Sequence, residues 1–347
     1  MGPYRAGMGV DAAFVLAVCM AMAFAFTNGL HDAANAIATL VATRAARPLP
    51  AALMAACFNL LGPLVFGAAV ANTVSAIVQV PPDEMVVVIG AGLTGALTWN
   101  VYTWLRGLPA SSTHALVGGL MGAAILDAGL SAIDWGPFDA AGGLAGVFGI
   151  LLGLLLAVIL GLTVAWCLER AALRGLQRAT TRIGGVIRRL QWVTSAGLAF
   201  SHGSNDAQKT VGVIAAMFIA TDRASNTTVP VWVIVAAAFM VTLGTSLGGW
   251  PIVRTVGRRI FPLRAIDGLV SQSTSAGVII AGTIAGVPIS TSQVVASSIV
   301  GIGSGRRRWR HVGWGIVRDI GLAWLITMPA AALIAAATLP IWRLIGS

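Results

Sequence analysis

Charge is what this chain has least of. Only 10% of its 347 residues are charged, against roughly 25% in a soluble domain. With 57% hydrophobic residues and a mean hydropathy of +0.87, a water-soluble globular fold is excluded. Cysteine is also scarce. Cys19, Cys57 and Cys167 stand singly in apolar runs, with no metal-ligand spacing and no disulfide framework, and buried thiols are expected. Lysine occurs once, as Lys209, and histidine four times. The net charge of +10 is therefore carried by arginine. Those arginines fall in loops between apolar runs, which points to a membrane surface and not to nucleic acid. No cleavable signal peptide is expected, because Arg5 makes a weak charged start and the apolar run leads straight into polar residues.

What is abundant is apolar sequence in long stretches. Runs of 18 or more residues predict an all-α polytopic membrane protein. Ten segments are read, at roughly 10–43, 50–78, 84–105, 109–130, 137–168, 191–221, 229–253, 265–285, 288–303 and 311–341. Forty-two glycines suit close helix packing in lipid.

Two polar knots interrupt this pattern. Asn28-Gly29-Leu30-His31-Asp32-Ala33-Ala34-Asn35 lies within the first segment, and His202-Gly203-Ser204-Asn205-Asp206-Ala207-Gln208-Lys209 repeats it in the sixth, at an offset of 174 residues. A carboxylate in such surroundings is costly and marks a functional site. Both segments exceed a single crossing, so both are expected to be discontinuous at the knot.

Arginines after segments 1, 3, 5, 7 and 9 (Arg44, Arg47, Arg106, Arg170, Arg254 and Arg306 among them) place those loops in the cytoplasm. Both termini then lie outside, and the knots run in opposite directions. Three parts follow: a first inverted repeat over 1–168, a basic cytoplasmic linker over 169–190, and a second repeat over 191–347. In the linker Arg170, Arg174, Arg178 and Arg182 recur every four residues, the stripe of a surface helix on anionic lipid.

A second motif also recurs. Gly107-Leu108-Pro109-Ala110-Ser111-Ser112-Thr113-His114 is matched by Gly286-Val287-Pro288-Ile289-Ser290-Thr291-Ser292-Gln293, at an offset of 179. Proline, then hydroxyl residues, then an apolar run is a helix start. A helix N-terminus attracts anions, and several hydroxyls suit a tetrahedral oxyanion. Ser111, Ser112, Thr113, Ser290, Thr291, Ser292, Gln293 and Lys209 are the expected substrate contacts. Asp32 and Asp206 beside an anion are electrostatically wrong unless a cation joins them. They are the expected coupling-ion carriers, with Asn28, Asn35 and Asn205 as partners. His31 next to Asp32 favours protons over sodium. No catalytic residue, metal site or resident cofactor is expected.

These residues resemble the inorganic phosphate transporter (PiT) family, in its bacterial low-affinity permease form. The similarity takes in both knots, both Pro-x-(Ser/Thr) motifs and the basic central loop. Leu30 departs from the family's Ala or Phe, and sodium-coupled members carry Asn where this chain has His31. The resemblance implies a homodimer in the bacterial inner membrane. It also implies phosphate uptake by alternating access, with protons and with phosphate possibly carried as a neutral metal complex. A sodium-coupled phosphate or sulfate symporter is the alternative. An intramembrane serine hydrolase built on Ser112, His114 and Asp32 is the enzyme rival, although Ser112 and His114 point to different helix faces. An anion channel is the third reading, opposed by the buried carboxylates.

Overall fold

The computed structural model describes residues 3–66, 68–139, 142–180, 182–223 and 230–347, without the side chains of residues 3–10 and Ala33. Arg5, weighed above as a charged start, lies outside the described side chains. The described residues form twelve α-helices in two matching sets of six. The first set is α1 (Pro3–Ala42), α2 (Pro48–Val65), α3 (Ala69–Ser75), α4 (Pro82–Leu105), α5 (Ser112–Ala128) and α6 (Gly146–Gly175). The second is α7 (Ile183–Ala220), α8 (Val231–Leu247), α9 (Trp250–Arg258), α10 (Ala265–Ile284), α11 (Thr291–Gly305) and α12 (Trp314–Gly346). Among the described residues, five helices are long and apolar enough to cross a membrane, or six if the pair α8–α9, bent by 69°, is one span.

The two sets are inverted copies. Helices α1 and α7 cross antiparallel: Phe14 packs edge-on against Phe218 at one end, and Thr43 Oγ1 donates to Gln191 Oε1 at the other (2.7 Å). Contacts made by one half recur in the other at equivalent positions. Thr73 Oγ1 donates to the Gly286 carbonyl (2.7 Å), and Thr255 Oγ1 to that of Gly107 (3.0 Å). Thr113 Oγ1 donates to the Ile289 carbonyl (3.1 Å), and Ser292 Oγ to that of Ala110 (2.7 Å).

All ten expected segments are found as helices, but the breaks lie elsewhere than predicted. Helices α1 and α7 run unbroken through their knots. The discontinuous segments are the second of each half, α2–α3 and α8–α9. Glycine in the knots serves helix crossing instead. A Cβ on Gly29 would lie 2.0 Å from the Val241 carbonyl oxygen, and one on its counterpart Gly203 would lie 2.2 Å from that of Asn59. Backbones this close admit no side chain. Gly203→Ala should therefore push α7 from α2 and cost about 1–3 kcal/mol, read as a lowered thermal midpoint. An unchanged midpoint would show that this crossing yields.

Segments 3 and 4, and 8 and 9, are the arms of two helical hairpins. Helix α4 runs beside α1 but ends where Thr103 meets His31, well short of the end of α1 at Ala42. Helix α10 likewise runs from the level of Gln191 to that of Asn205 on α7. The returning arms α5 and α11 have 17 and 15 residues, short of the roughly 20 that span the hydrocarbon core. The hairpins enter from opposite faces and touch at their tips. Arg106, expected at the cytoplasmic surface, caps α4 at one of these tips and stacks on Tyr102.

Two further expectations need correction. Cys19, Cys57 and Cys167 are exposed on the outer faces of the helices, not buried, as suits an apolar side chain facing lipid. The linker is not one helix. Arg170 and Arg174 belong to the last turns of α6, and Arg178 and Arg182 lie in the short connection to α7.

Candidate functional site

The hairpin tips meet the two knots in one buried cluster. Helix α5 starts at Ser111, whose Oγ accepts the His114 N–H (3.2 Å) as its cap. Helix α11 starts at Ser290, which makes no such cap. The N-terminal ends of both helices, with the positive ends of their dipoles, thus lie at the tips.

Each carboxylate has its own partners. Asp32 accepts from Asn35 Nδ2 (2.7 Å) and Ser112 Oγ (3.1 Å), with His31 Nδ1 3.5 Å away. Asp206 pairs with Lys209 Nζ (2.5 Å) and His202 Nε2 (2.7 Å). Lys209 Nζ also donates to Thr113 Oγ1 and to the Ile289 carbonyl, both at 2.7 Å. One ammonium therefore ties α7 to both hairpin tips. Asn35 Nδ2 donates in addition to Thr291 Oγ1 (3.2 Å). Asn205 clamps the second tip, donating to Thr283 Oγ1 (3.0 Å) and the Val287 carbonyl (3.1 Å) and accepting from the Ile289 N–H (2.9 Å). Ser290 and Ser292 face each other at 3.4 Å. All these side chains are buried, so the site is closed on both sides.

Two predicted residues stand apart. Asn28 is fully buried, and neither of its amide atoms has a hydrogen-bond partner among the described residues. Gln293 does not face the carboxylates. With His114 it lines a separate cavity of about 330 Å³ between α6 and α12, among Leu151, Leu154 and Trp324. Helical geometry explains this, because residues two apart in a helix face different ways.

Several participants escaped the sequence reading. His202 is one of three histidines in the repeated motifs, but the sequence gives it no specific partner. It bonds Asp206 and also meets Asn59 Oδ1 through Nδ1 (3.1 Å). Candidate ligand atoms of Asp32, His202 and Asp206 lie within 4.8 Å of one another, a donor set suited to a cation that adds His202 to the two expected coupling-ion carriers. Thr103 and Thr283, on the outgoing arms of the hairpins, carried no signal beyond being polar in apolar helices.

The fold and this site define a polytopic membrane protein of two inverted repeats, with a charged cluster closed between two hairpins. The profile of the phosphate transporter family matches residues 28–181 and 169–335. The chain is 41% identical to a probable low-affinity inorganic phosphate transporter of Rhizobium meliloti, over 92% of this chain and 93% of that one. It is 37% identical to a protein of the same description from Bacillus subtilis, over 93% and 95%. Among solved structures, one titled as the sodium-dependent phosphate transporter superposes with a TM-score of 0.84 at 23% identity, covering 96% and 99% of the two chains. The chain belongs to the phosphate transporter family. That family consists of transporters, which sets the hydrolase reading aside.

Proposed function

We propose that the chain imports inorganic phosphate by alternating access, coupled to protons, across a bacterial inner membrane with both termini outside. The observation that carries this reading is the position of Lys209. Its ammonium is the buried cation between the hairpin tips, and its three donors are all spent holding Asp206, Thr113 and the Ile289 carbonyl. An anion that binds at the helix starts takes donors from both tips and loosens them, which links binding to hairpin movement.

The same step explains coupling. Phosphate draws Lys209 from Asp206 and leaves a buried carboxylate short of a partner. Stranding one member of a buried pair costs about 3–5 kcal/mol. A proton taken up by Asp206 with His202, or by Asp32 with His31, removes that cost. Anion and cation then favour each other's binding reciprocally. The grouping of Asp32, His202 and Asp206 also supports a second reading, in which sodium or a divalent metal carried with phosphate takes the proton's place. A homodimer and contacts with anionic lipid belong to the same proposal.

The test is uptake into proteoliposomes of labelled phosphate and sulfate under imposed gradients. A proton gradient should drive phosphate accumulation, with sulfate poorly carried. Accumulation driven by sodium alone would overturn proton coupling, and accumulation under neither gradient would overturn symport. Preference for sulfate would overturn the substrate.

A further inference from the structure

A second buried charged cluster sits at the base of the second hairpin, at the end away from the tips. Glu169 near the end of α6, Asp267 in the first turn of α10 and Arg306 just past α11 meet there. Both carboxyl side chains are fully buried, and that of Arg306 is 4% exposed. Arg306 Nη1 donates to Asp267 Oδ2 (2.6 Å), and its Nε lies 3.5 Å from Glu169 Oε1. Asp267 Oδ2 also accepts the Arg264 N–H (2.7 Å), with the mostly exposed Arg264 Nε at 4.0 Å. Arg308 acts on Asp267 from the loop after α11.

The cluster is unbalanced in two respects. Two buried carboxylates share one buried guanidinium. In addition, both oxygens of Glu169 and Oδ1 of Asp267 have no hydrogen-bond donor among the described residues. Buried charges are normally paired, and buried polar atoms are normally bonded. The two carboxyls lie within side-chain hydrogen-bonding reach of each other, so one proton corrects both faults: it evens the charge and turns one carboxyl into a donor to the other.

We propose that Glu169 and Asp267 together form a proton-binding site at the cytoplasm-facing base of the second hairpin, distinct from the site between the hairpin tips. The shared proton holds the hairpin α10–α11 against α6. Its loss leaves an uncompensated negative charge in a buried place, so the cluster separates or admits water and the base of the hairpin loosens.

The first hairpin supplies the contrast. Asp127 near the end of α5 pairs with Arg343 of α12 at 2.7 Å. Asp127 and Arg306 occupy equivalent positions, at the 179-residue offset, with the charge reversed. In the first hairpin Asp127 is bonded to Arg343, with Glu84 also close enough to act on it, and the Arg343 side chain is 51% exposed, so solvent reaches this charge. Among the described residues, the fully buried version of this charge arrangement is therefore found at the second hairpin.

The test uses purified full-length protein in lipid nanodiscs. Infrared difference spectra across a pH titration should show a protonated-carboxyl C=O band that fades as pH rises. Glu169→Gln and Asp267→Asn should each abolish that band, because either leaves one carboxylate for one guanidinium. Thermal midpoints should fall with rising pH in the wild type, since the folded state holds the extra proton. That fall should vanish in both variants and persist in the control Asp127→Asn. The same band in the wild type and both variants, or a wild-type pH slope in Glu169→Gln or Asp267→Asn, overturns the proposal. So does a wild-type midpoint that follows sodium concentration in place of pH. None of these readouts depends on phosphate transport.

Discussion

Lys209→Gln is expected to lower phosphate counterflow by about tenfold to 100-fold and to destabilise the protein. The two effects have separate causes. A charge-assisted hydrogen bond to a bound anion is worth about 1.5–3 kcal/mol, which sets the transport loss at 1.4 kcal/mol per factor of ten. The stability loss comes from Asp206, which keeps His202 but loses its 2.5 Å ammonium partner. An unpaired charge of this kind costs about 3–5 kcal/mol. Adding Asp206→Asn removes that charge, so the double variant should recover most of the thermal midpoint while its counterflow stays low. Counterflow at the wild-type rate in Lys209→Gln would remove the lysine from the substrate path. Failure of the double variant to regain stability would show that Lys209 holds the fold through Thr113 and Ile289 more than through Asp206.

The double role of Lys209 illustrates what the sequence could and could not reveal. A lone lysine inside a repeated motif was visible, as were the two knots and the two helix starts, because polar residues in apolar helices stand out at once. Their grouping was legible through the repeat: two motifs at nearly equal offsets must fold to equivalent places. The course of the backbone was less legible. Gly29 and Gly203 looked like helix breaks, yet the same residue type permits the carbonyls of Val241 and Asn59 to approach, and sequence alone does not separate the two uses. Hydropathy also reads a hairpin arm as a crossing, since α4 is long and apolar enough to pass for a span. What tells them apart is contact between the tips. Gln293 was misplaced because neighbours in sequence were treated as neighbours in space. Glu169 was missed because it sits beside a run of arginines, where a carboxylate looks like a solvated surface charge. Only the packing of Gly305 and Arg306 against it shows that it is buried.

Asp32→Asn should abolish gradient-driven accumulation of phosphate while leaving exchange of phosphate across the membrane. Asp32 differs from Asp206 in having no lysine. It is held by the Asn35 amide and the Ser112 hydroxyl, with His31 at a longer 3.5 Å. An asparagine of the same shape still accepts from Ser112 through its oxygen. The fold should therefore survive with a loss of about 1–3 kcal/mol for the misdirected Asn35 contact. With this position fixed as neutral, the anion no longer needs a coupling ion to offset it. Binding and hairpin movement continue, but the gradient has lost its point of attachment. The measurement sets accumulation under an imposed proton gradient beside counterflow without one, in the same vesicles. Accumulation should fall to the level set by equilibration, with counterflow within a fewfold of wild type. If Asp32→Asn still accumulates phosphate while Asp206→Asn does not, the coupling ion is carried by the Asp206–His202 pair. His31 and Asp32 then serve to hold the first hairpin through Thr103 and Ser112.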